Sequence, residues 1–295
     1  MTFTLAHLSD VHLAPLPAPQ KGELLNKRIT GFLNWQRRRR FIHERPTLGA
    51  LVADLKQRHV DHIAVTGDLA NIALPAEYPL CRAWLETLGT PTDVTVVPGN
   101  HDAYVPLGLR LAQQEWGAFM RGDVGESFPF VRRRGPLALI GLNSGVPTAP
   151  FRATGRIGSE QLAAFPLLLD RLKEEGLFRV VLVHHPPVSQ AGRSKRLVDA
   201  ADLKDTLAQH GAELLLHGHD HLHMINWLAG PDGRPIPAVG VHSASASAIT
   251  HPDSAAYHLF EIDGSRRNWR CGLISRGLAA DGSVQERLRA NLMED

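Results

Sequence analysis

Five short polar clusters hold the residues best suited to chemistry in this 295-residue chain. They are Asp10 and His12 in "SDVHL", Asp68 in "TGDLA", Asn100, His101 and Asp102 in "PGNHDA", His184 and His185 in "VHHPP", and His219 and His221 in "HGHDH". Imidazoles, carboxylates and one amide form a donor set that suits Mn, Fe, Zn or Co better than Ca or a thiolate-preferring ion. The set exceeds what one tetrahedral ion needs. It would be fully used by two divalent ions ~3.5–4 Å apart, with one carboxylate bridging. In an extended segment residues i and i+2 face the same way, so Asp10 and His12 share a side, as do His219 and His221, while Asp220 points away. Gly99 and Gly218 free the backbone to turn towards the ions. His217 and His223 flank the last cluster as supporting residues, and Asp102 is a candidate for orienting a neighbouring group.

The elements that must position these clusters read as an α/β alternation. Apolar runs end in the clusters at 3–9, 62–68, 93–102, 178–187 and 212–221, and "LALIGLNS" at 137–144 repeats the scheme. Helical spacing predicts helices over 24–42, 47–59, 79–88, 159–174 and 200–210. In the first, Leu25, Ile29, Phe32 and Leu33 share one face, with Gly31 weakening it. The runs 238–243, 256–262 and 268–274 have no helices between them and predict an antiparallel portion. Val284, Leu288 and Leu292 predict a short final helix. One domain, 1–295, accounts for all of this, with 13–45 as a candidate helical cap or insertion and 264–295 as a C-terminal strand and helix. Loops at the carboxyl ends of strands are where α/β folds place ligands.

Composition excludes little. The net charge of +2 calls for no global nucleic-acid or membrane field, and the two cysteines, Cys81 and Cys271, form no disulfide framework or metal-type spacing. No apolar run approaches the ~18–20 residues of a membrane span, so a cytoplasmic location is expected. The basic runs Arg37–Arg40 and Arg132–Arg134 are either solvated surface or local steering for an anionic substrate.

The ordered series D-x-H, GD, GNHD, H and GHxH, present as "DVH", "GD", "GNHD", "HHPP" and "GHDH", resembles the calcineurin-like metallophosphoesterase family over about residues 4–225. That resemblance implies a four-layer αββα sandwich with mixed sheets. It implies one metal held by Asp10, His12, Asp68 and His221, and a second held by Asp68 as bridge, Asn100, His184 and His219. A hydroxide between the two ions would attack phosphorus in line, and His101 would touch the phosphate and protonate the leaving oxygen. His184, which ends its strand directly, is preferred to His185 as the ligand.

Three departures narrow the resemblance. Leu69-Ala70-Asn71 replaces the continuation of Ser/Thr protein phosphatases, Asn71 stands where purple acid phosphatases carry a tyrosine, and His101 stands where lipid A pathway pyrophosphatases carry an arginine. What remains is similar to bacterial phosphodiesterases of the class III cyclic nucleotide and glycerophosphodiester type. The expected activity is metal-dependent hydrolysis of a small phosphodiester, with Asn143, Arg156 and His185 as candidate substrate contacts and the long 142–162 loop near the pocket. Three other readings stay open: a nuclease, a membrane-associated phosphoesterase guided by Arg37–Arg40, and an inactive scaffold of the same fold. A homo-oligomer is also left open.

Overall fold

A computed structural model describes residues 2–247, 254–266 and 268–293. His251 lies outside the described residues. Strands β1 (Phe3–Leu8), β2 (His62–Val65) and β3 (Val94–Val96) alternate with helices α1 (Arg28–Arg37), α2 (Arg45–Lys56) and α3 (Glu77–Leu88). Helix α4 (Gly108–Trp116) follows, then β4 (Phe130–Arg134), β5 (Leu137–Gly141), α5 (Ser159–Glu174), β6 (Phe178–Leu182), α6 (Ala200–His210) and β7 (Leu214–His217). The chain closes with β8 (Met224–Leu228), β9 (Ile236–Gly240), β10 (Ala256–Asp263), β11 (Arg270–Leu278) and β12 (Val284–Asn291).

The strands form two six-stranded mixed sheets, ordered β12-β11-β10-β1-β2-β3 and β4-β5-β6-β7-β9-β8. Period-two alternation explains why they stack. On β1, Leu5 enters the core between the sheets, while Ala6 and Leu8 face the helices α2 and α3. On β6, Val180 and Leu182 enter the shared core, while Val181 packs under α5 and α6 with Phe165, Leu169, Leu203 and Leu207. Leu214 and Leu216 against Leu215 repeat the division on β7. A strand apolar on both faces must be covered twice, so the result is the four-layer αββα sandwich.

Three expectations change. The final segment is β12, not a helix, and pairs antiparallel with β11. Val284, Leu288 and Leu292 are four apart, a spacing that fits period 2 as well as period 3.6, so the apolar pattern did not discriminate. Arg132–Arg134 is not one uniform surface run, although Arg133 is exposed. Arg132 is buried and donates to the carbonyls of Pro91, Val94, Ala118 and Arg121, whereas Arg133 and Arg134 pair with Glu175 and Asp123. Finally, the helix starts only at Arg28 and turns no apolar stripe inward: Ile29 and Leu33 are exposed, as is Leu25 before it, and in α1 only Arg28 and Trp35 are buried. Gly31 is there because α1 runs close to Ile72 and Tyr104, where a Cβ would collide.

Candidate metal centre

Five loops meet where the carboxyl ends of the two sheets come together. The first sheet supplies those after β1, β2 and β3; the second supplies those after β6 and β7. Asp10 N–H donates to Gly67 O and His12 N–H to Asp68 O, which locks the first loop to the second. Across the sheets, Gly218 presses so closely on Ser9 that any Cβ there would strike its hydroxyl. His219 N–H then reaches Asp10 Oδ2 at 3.0 Å.

The ligand candidates are not extended. Asp10, His12, Asp68, His219 and His221 have φ of 53, 41, 56, 71 and 57°. Non-glycine residues seldom adopt that left-handed region, and clusters of them mark functional sites. Asp10 and His12 do converge, as do His219 and His221, but through alternate left-handed turns rather than through strand pleat. Gly67, at φ 86°, is the residue that needs glycine's freedom; Gly99 instead makes room for the Asp68 carboxylate.

Two groups of ligand atoms result. His221 Nε2 lies 3.2 Å from Asp10 Oδ1 and 3.3 Å from His12 Nε2, and His12 Nε2 lies 3.8 Å from Asp68 Oδ2. The same Asp68 oxygen lies 3.4 Å from His184 Nε2, which is 3.2 Å from Asn100 Oδ1 and 3.3 Å from His219 Nδ1. Asp68 therefore stands between the groups, where a bridging carboxylate belongs.

The far side of each ring decides what the near side offers. His12 Nδ1 is 3.2 Å from Ala70 O, His184 Nδ1 2.6 Å from Thr66 O, and His219 Nε2 2.8 Å from Lys195 O. Carbonyl oxygens only accept, so those nitrogens carry protons, and the other nitrogen of each ring faces inward, where it can offer a lone pair to an ion. Lone pairs 3.3 Å apart repel unless a cation lies between them. Asp10 Oδ1 is buried in the same space without a hydrogen-bond partner. The residues thus fit a pair of divalent ions held by nitrogen and oxygen.

Electrostatics agree. Burial opposes ionisation of Asp10, yet His221 holds its carboxyl down at about 2. Burial likewise opposes Asp68, and His184 and His101 hold it lower still. Burial works against a charged His184, but Asp68 and Asp10 raise it to about 10. A proton and a metal ion answer the same carboxylate charge at that position. Burial, then Arg39, keeps His12 well below its usual value and therefore neutral, as a ligand must be.

Asp102 has a role the sequence left open. It accepts from the amides of Asp68, Leu69, Ala70 and Gly99 at 2.8–2.9 Å, so one carboxylate clamps both loops that carry Asp68 and Asn100. Burial and then Asp68 push its carboxyl up to about 7, against the pull of those amides.

Above the ligands opens a cleft of about 1120 Å³, lined by Asp68, Asn100, His101, His219 and His221 on its floor. Its roof is the 27–43 segment, tied down by His43 Nδ1 to Ser245 Oγ at 2.8 Å and by Glu44 N–H to Ser245 O at 2.9 Å. His101 sits at the junction. Its Nδ1 donates to Asn71 O, Tyr104 stacks on it at 5.5 Å, and Arg39 Nη1 lies 2.9 Å from its Nε2. Burial, then Arg39, lowers His101 to about 3.

Seven of the sequence-derived ligands and His101 are brought together. Of the substrate candidates only His185 comes close, with its ring against those of His184 and His219. Asn143 and Arg156 do not line the cleft; the Asn143 carboxamide accepts from Gly145 N–H, and Arg156 N–H donates to Ser144 O. His185 is buried beside His219, with its ring nitrogens at Ser144 Oγ and Ala153 O. The 142–162 loop does reach the cleft, through Phe151, Arg152 and Ala153. Asp220 faces away from the ligand atoms to accept from Ser189 Oγ. His217 is buried next to Gly218 O, and His223 pairs with His258. Missed altogether were the place of Arg39 on His101 and that of His43, whose ring centroid is 4.5 Å from that of His12. Neither has a motif to announce it; only the folding back of the roof brings them in.

Among the described residues no helix is long and apolar enough to cross a membrane. The calcineurin-like phosphoesterase pattern matches residues 3–223. The chain is 31% identical over 228 residues to a probable cyclic nucleotide phosphodiesterase of Synechococcus, covering 75% of this chain and 74% of that protein. In fold it is similar to a dimetal phosphatase of Danio rerio, with a TM-score of 0.64, 13% identity, and 96% and 98% of the two chains covered. It is also similar to a purple acid phosphatase of yellow lupin, with a TM-score of 0.61 and 14% identity, over 99% of this chain and 54% of that one. The chain belongs to the calcineurin-like phosphoesterase family of metal-dependent phosphoesterases, and its layered sandwich is the fold of those solved structures.

Proposed function

We propose that the protein hydrolyses a small phosphodiester, with Asp10, His12, Asp68 and His221 holding one divalent ion and Asp68, Asn100, His184 and His219 holding the other. The observation that carries this reading is the convergence of inward lone pairs from His12, His184 and His219 around the Asp68 carboxylate. Two such ions would neutralise charge on phosphate oxygens and lower the pKa of the attacking water. Mn, Fe and Zn suit these donors.

The chain's own residues do the rest. Backbone carbonyls hold the outward nitrogens of three rings, so each ring already turns its other nitrogen inward; at His184 the second proton that Asp68 and Asp10 favour has to leave when an ion binds. Asp102 holds the floor rigid, which keeps the groups aligned as charge moves in the transition state. Arg39 and His101 form the wall nearest Asp68, where a non-bridging oxygen and the leaving oxygen of a bound ester would lie. His101 is the candidate proton donor to the leaving oxygen, a role that requires the bound anionic ester to offset the burial and the Arg39 charge that otherwise keep the ring neutral, and the adjacent guanidinium offers that oxygen fixed positive charge. A complete ligand set argues against an inactive scaffold.

The test is hydrolysis of bis-p-nitrophenyl phosphate before and after chelation. EDTA should abolish turnover and Mn²⁺ restore it, with about two ions bound per chain. No turnover with any divalent ion, despite correct folding, would overturn the reading.

A further inference from the structure

What sets the cations around the cleft apart is that they are gathered together without carboxylate partners. Away from the cleft several are paired, Arg133 with Glu175, Arg134 with Asp123, Arg179 with Glu213, and Arg276 with Asp54, and others are spread singly over the surface. Around the cleft stand Lys27, Arg37, Arg38, Arg39, Arg152 and Lys195. Among the described residues none of these six makes an ion pair with a carboxylate. The two acids in the lining answer them only at a distance, Asp220 in the field of Lys195 and Asp68 in that of Arg39, with no close ion pair. Asp68 is committed to the ligand groups and Asp220 to Ser189.

The six are spread over facing walls. Arg37, Arg38 and Arg39 come from the end of α1 and the turn after it, while Arg152 comes from the 142–162 loop and Lys195 from the turn before α6. Lys27 joins the walls, with its ammonium 2.7 Å from Thr148 Oγ1 and 3.0 Å from Arg152 O. Next to Arg152, Phe151 is 86% exposed on the same rim and offers an aromatic face. A scissile diester brings a single negative charge, which the metal floor and Arg39 already meet. The outer cations are left over, and like charges gathered around a cleft repel one another unless an anion joins them.

We propose that Arg37, Arg38, Arg152 and Lys195 form a second anion subsite, so that the preferred substrate is a nucleotide diester carrying a further phosphoryl group, its base against Phe151. The cleft, at about 1120 Å³, holds such a molecule whole. This rests on the phosphodiesterase reading above for the scissile bond, but not for binding.

The p-nitrophenyl ester of thymidine 5′-phosphate, with either a 3′-hydroxyl or a 3′-phosphate, isolates the effect because the bond broken is the same. With Mn²⁺ the 3′-phosphorylated ester should show kcat/KM about tenfold higher, mainly through KM. R37Q/R38Q and R152Q/K195Q should each reduce that ratio towards one. Equal kcat/KM for the two esters, or variants that lower both alike, would overturn the subsite. If neither ester is hydrolysed, the phosphodiesterase reading fails instead. The subsite is then judged by calorimetry of metal-free protein with thymidine 3′,5′-bisphosphate against thymidine. Salt-sensitive binding of the bisphosphate, weakened in both double variants, supports it, and equal binding refutes it. Affinity that keeps rising with the length of a DNA single strand would replace the enclosed subsite with an open nucleic-acid surface.

Discussion

The floor and the roof of the cleft are built on opposite principles. On the floor every ligand candidate sits at a strand end, buried or nearly so, with its backbone or ring hydrogen-bonded to a neighbouring loop. The roof is a short helix and a turn with exposed apolar and basic side chains that find no carboxylates among the described residues. Left-handed backbone at Asp10, His12, Asp68, His219 and His221 shows how far the floor is over-determined, since such conformations last only where surrounding contacts impose them. The two differ in what holds them: the strand ends are bound loop to loop, whereas the basic segment is anchored at its end through Ser245 and leaves its cations turned to the cleft.

Breaking the floor should have the largest effects. Asp68→Ala removes the one carboxylate between both ligand groups, and should lower kcat/KM by about 10³-fold or more while reducing bound metal, as measured by kinetics and elemental analysis. A variant that keeps both metal and turnover would show that Asp68 is not the bridge. His101→Ala should cost about 10²-fold with a poor leaving group and much less with p-nitrophenolate. Equal losses across leaving groups would remove the proton-donor role and leave His101 as a binding residue.

Smaller effects test whether the floor's rigidity comes from its supports. Asp102→Ala strands four amides and should destabilise the fold by about 3 kcal/mol, read as a lower denaturation midpoint. A midpoint within experimental error of the parent would show that the clamp is not needed. Away from the cleft, Asp54 meets Arg276, Arg58 and the Tyr257 hydroxyl. Burial opposes its ionisation, but those partners hold the carboxyl at about 2. A depressed folded-state value means stability present above the unfolded value of about 3.9 and lost as pH falls towards 2. Asp54→Asn should therefore flatten the decline of Tm between pH 5 and 2, and an unchanged slope would contradict the assignment. Smallest of all is Arg133→Gln at an exposed pair, which should shift stability by under about 0.5 kcal/mol and leave turnover alone.

The floor was legible and the roof was not, for a physical reason. Ligand residues follow strands whose apolar runs are visible, and metals restrict donors to few residue types, so the clusters around Asp10, Asp68, Asn100, His184 and His219 stand out in order. The same local logic failed for β12, where a spacing of four fits both a helix and a strand. It failed for Arg132 as well, because a charge run carries no sign of the carbonyls that will receive it.

By itself the sequence determined the α/β alternation, the order of the clusters and the donor chemistry, because these depend on residue type and short spacing. Only the tertiary structure decided which ring nitrogens face inward, that Asp102 clamps the loops, and that Arg39 and His43 lie over the floor. Those facts depend on contacts between segments up to two hundred residues apart, such as His43 with Ser245. No local pattern encodes them.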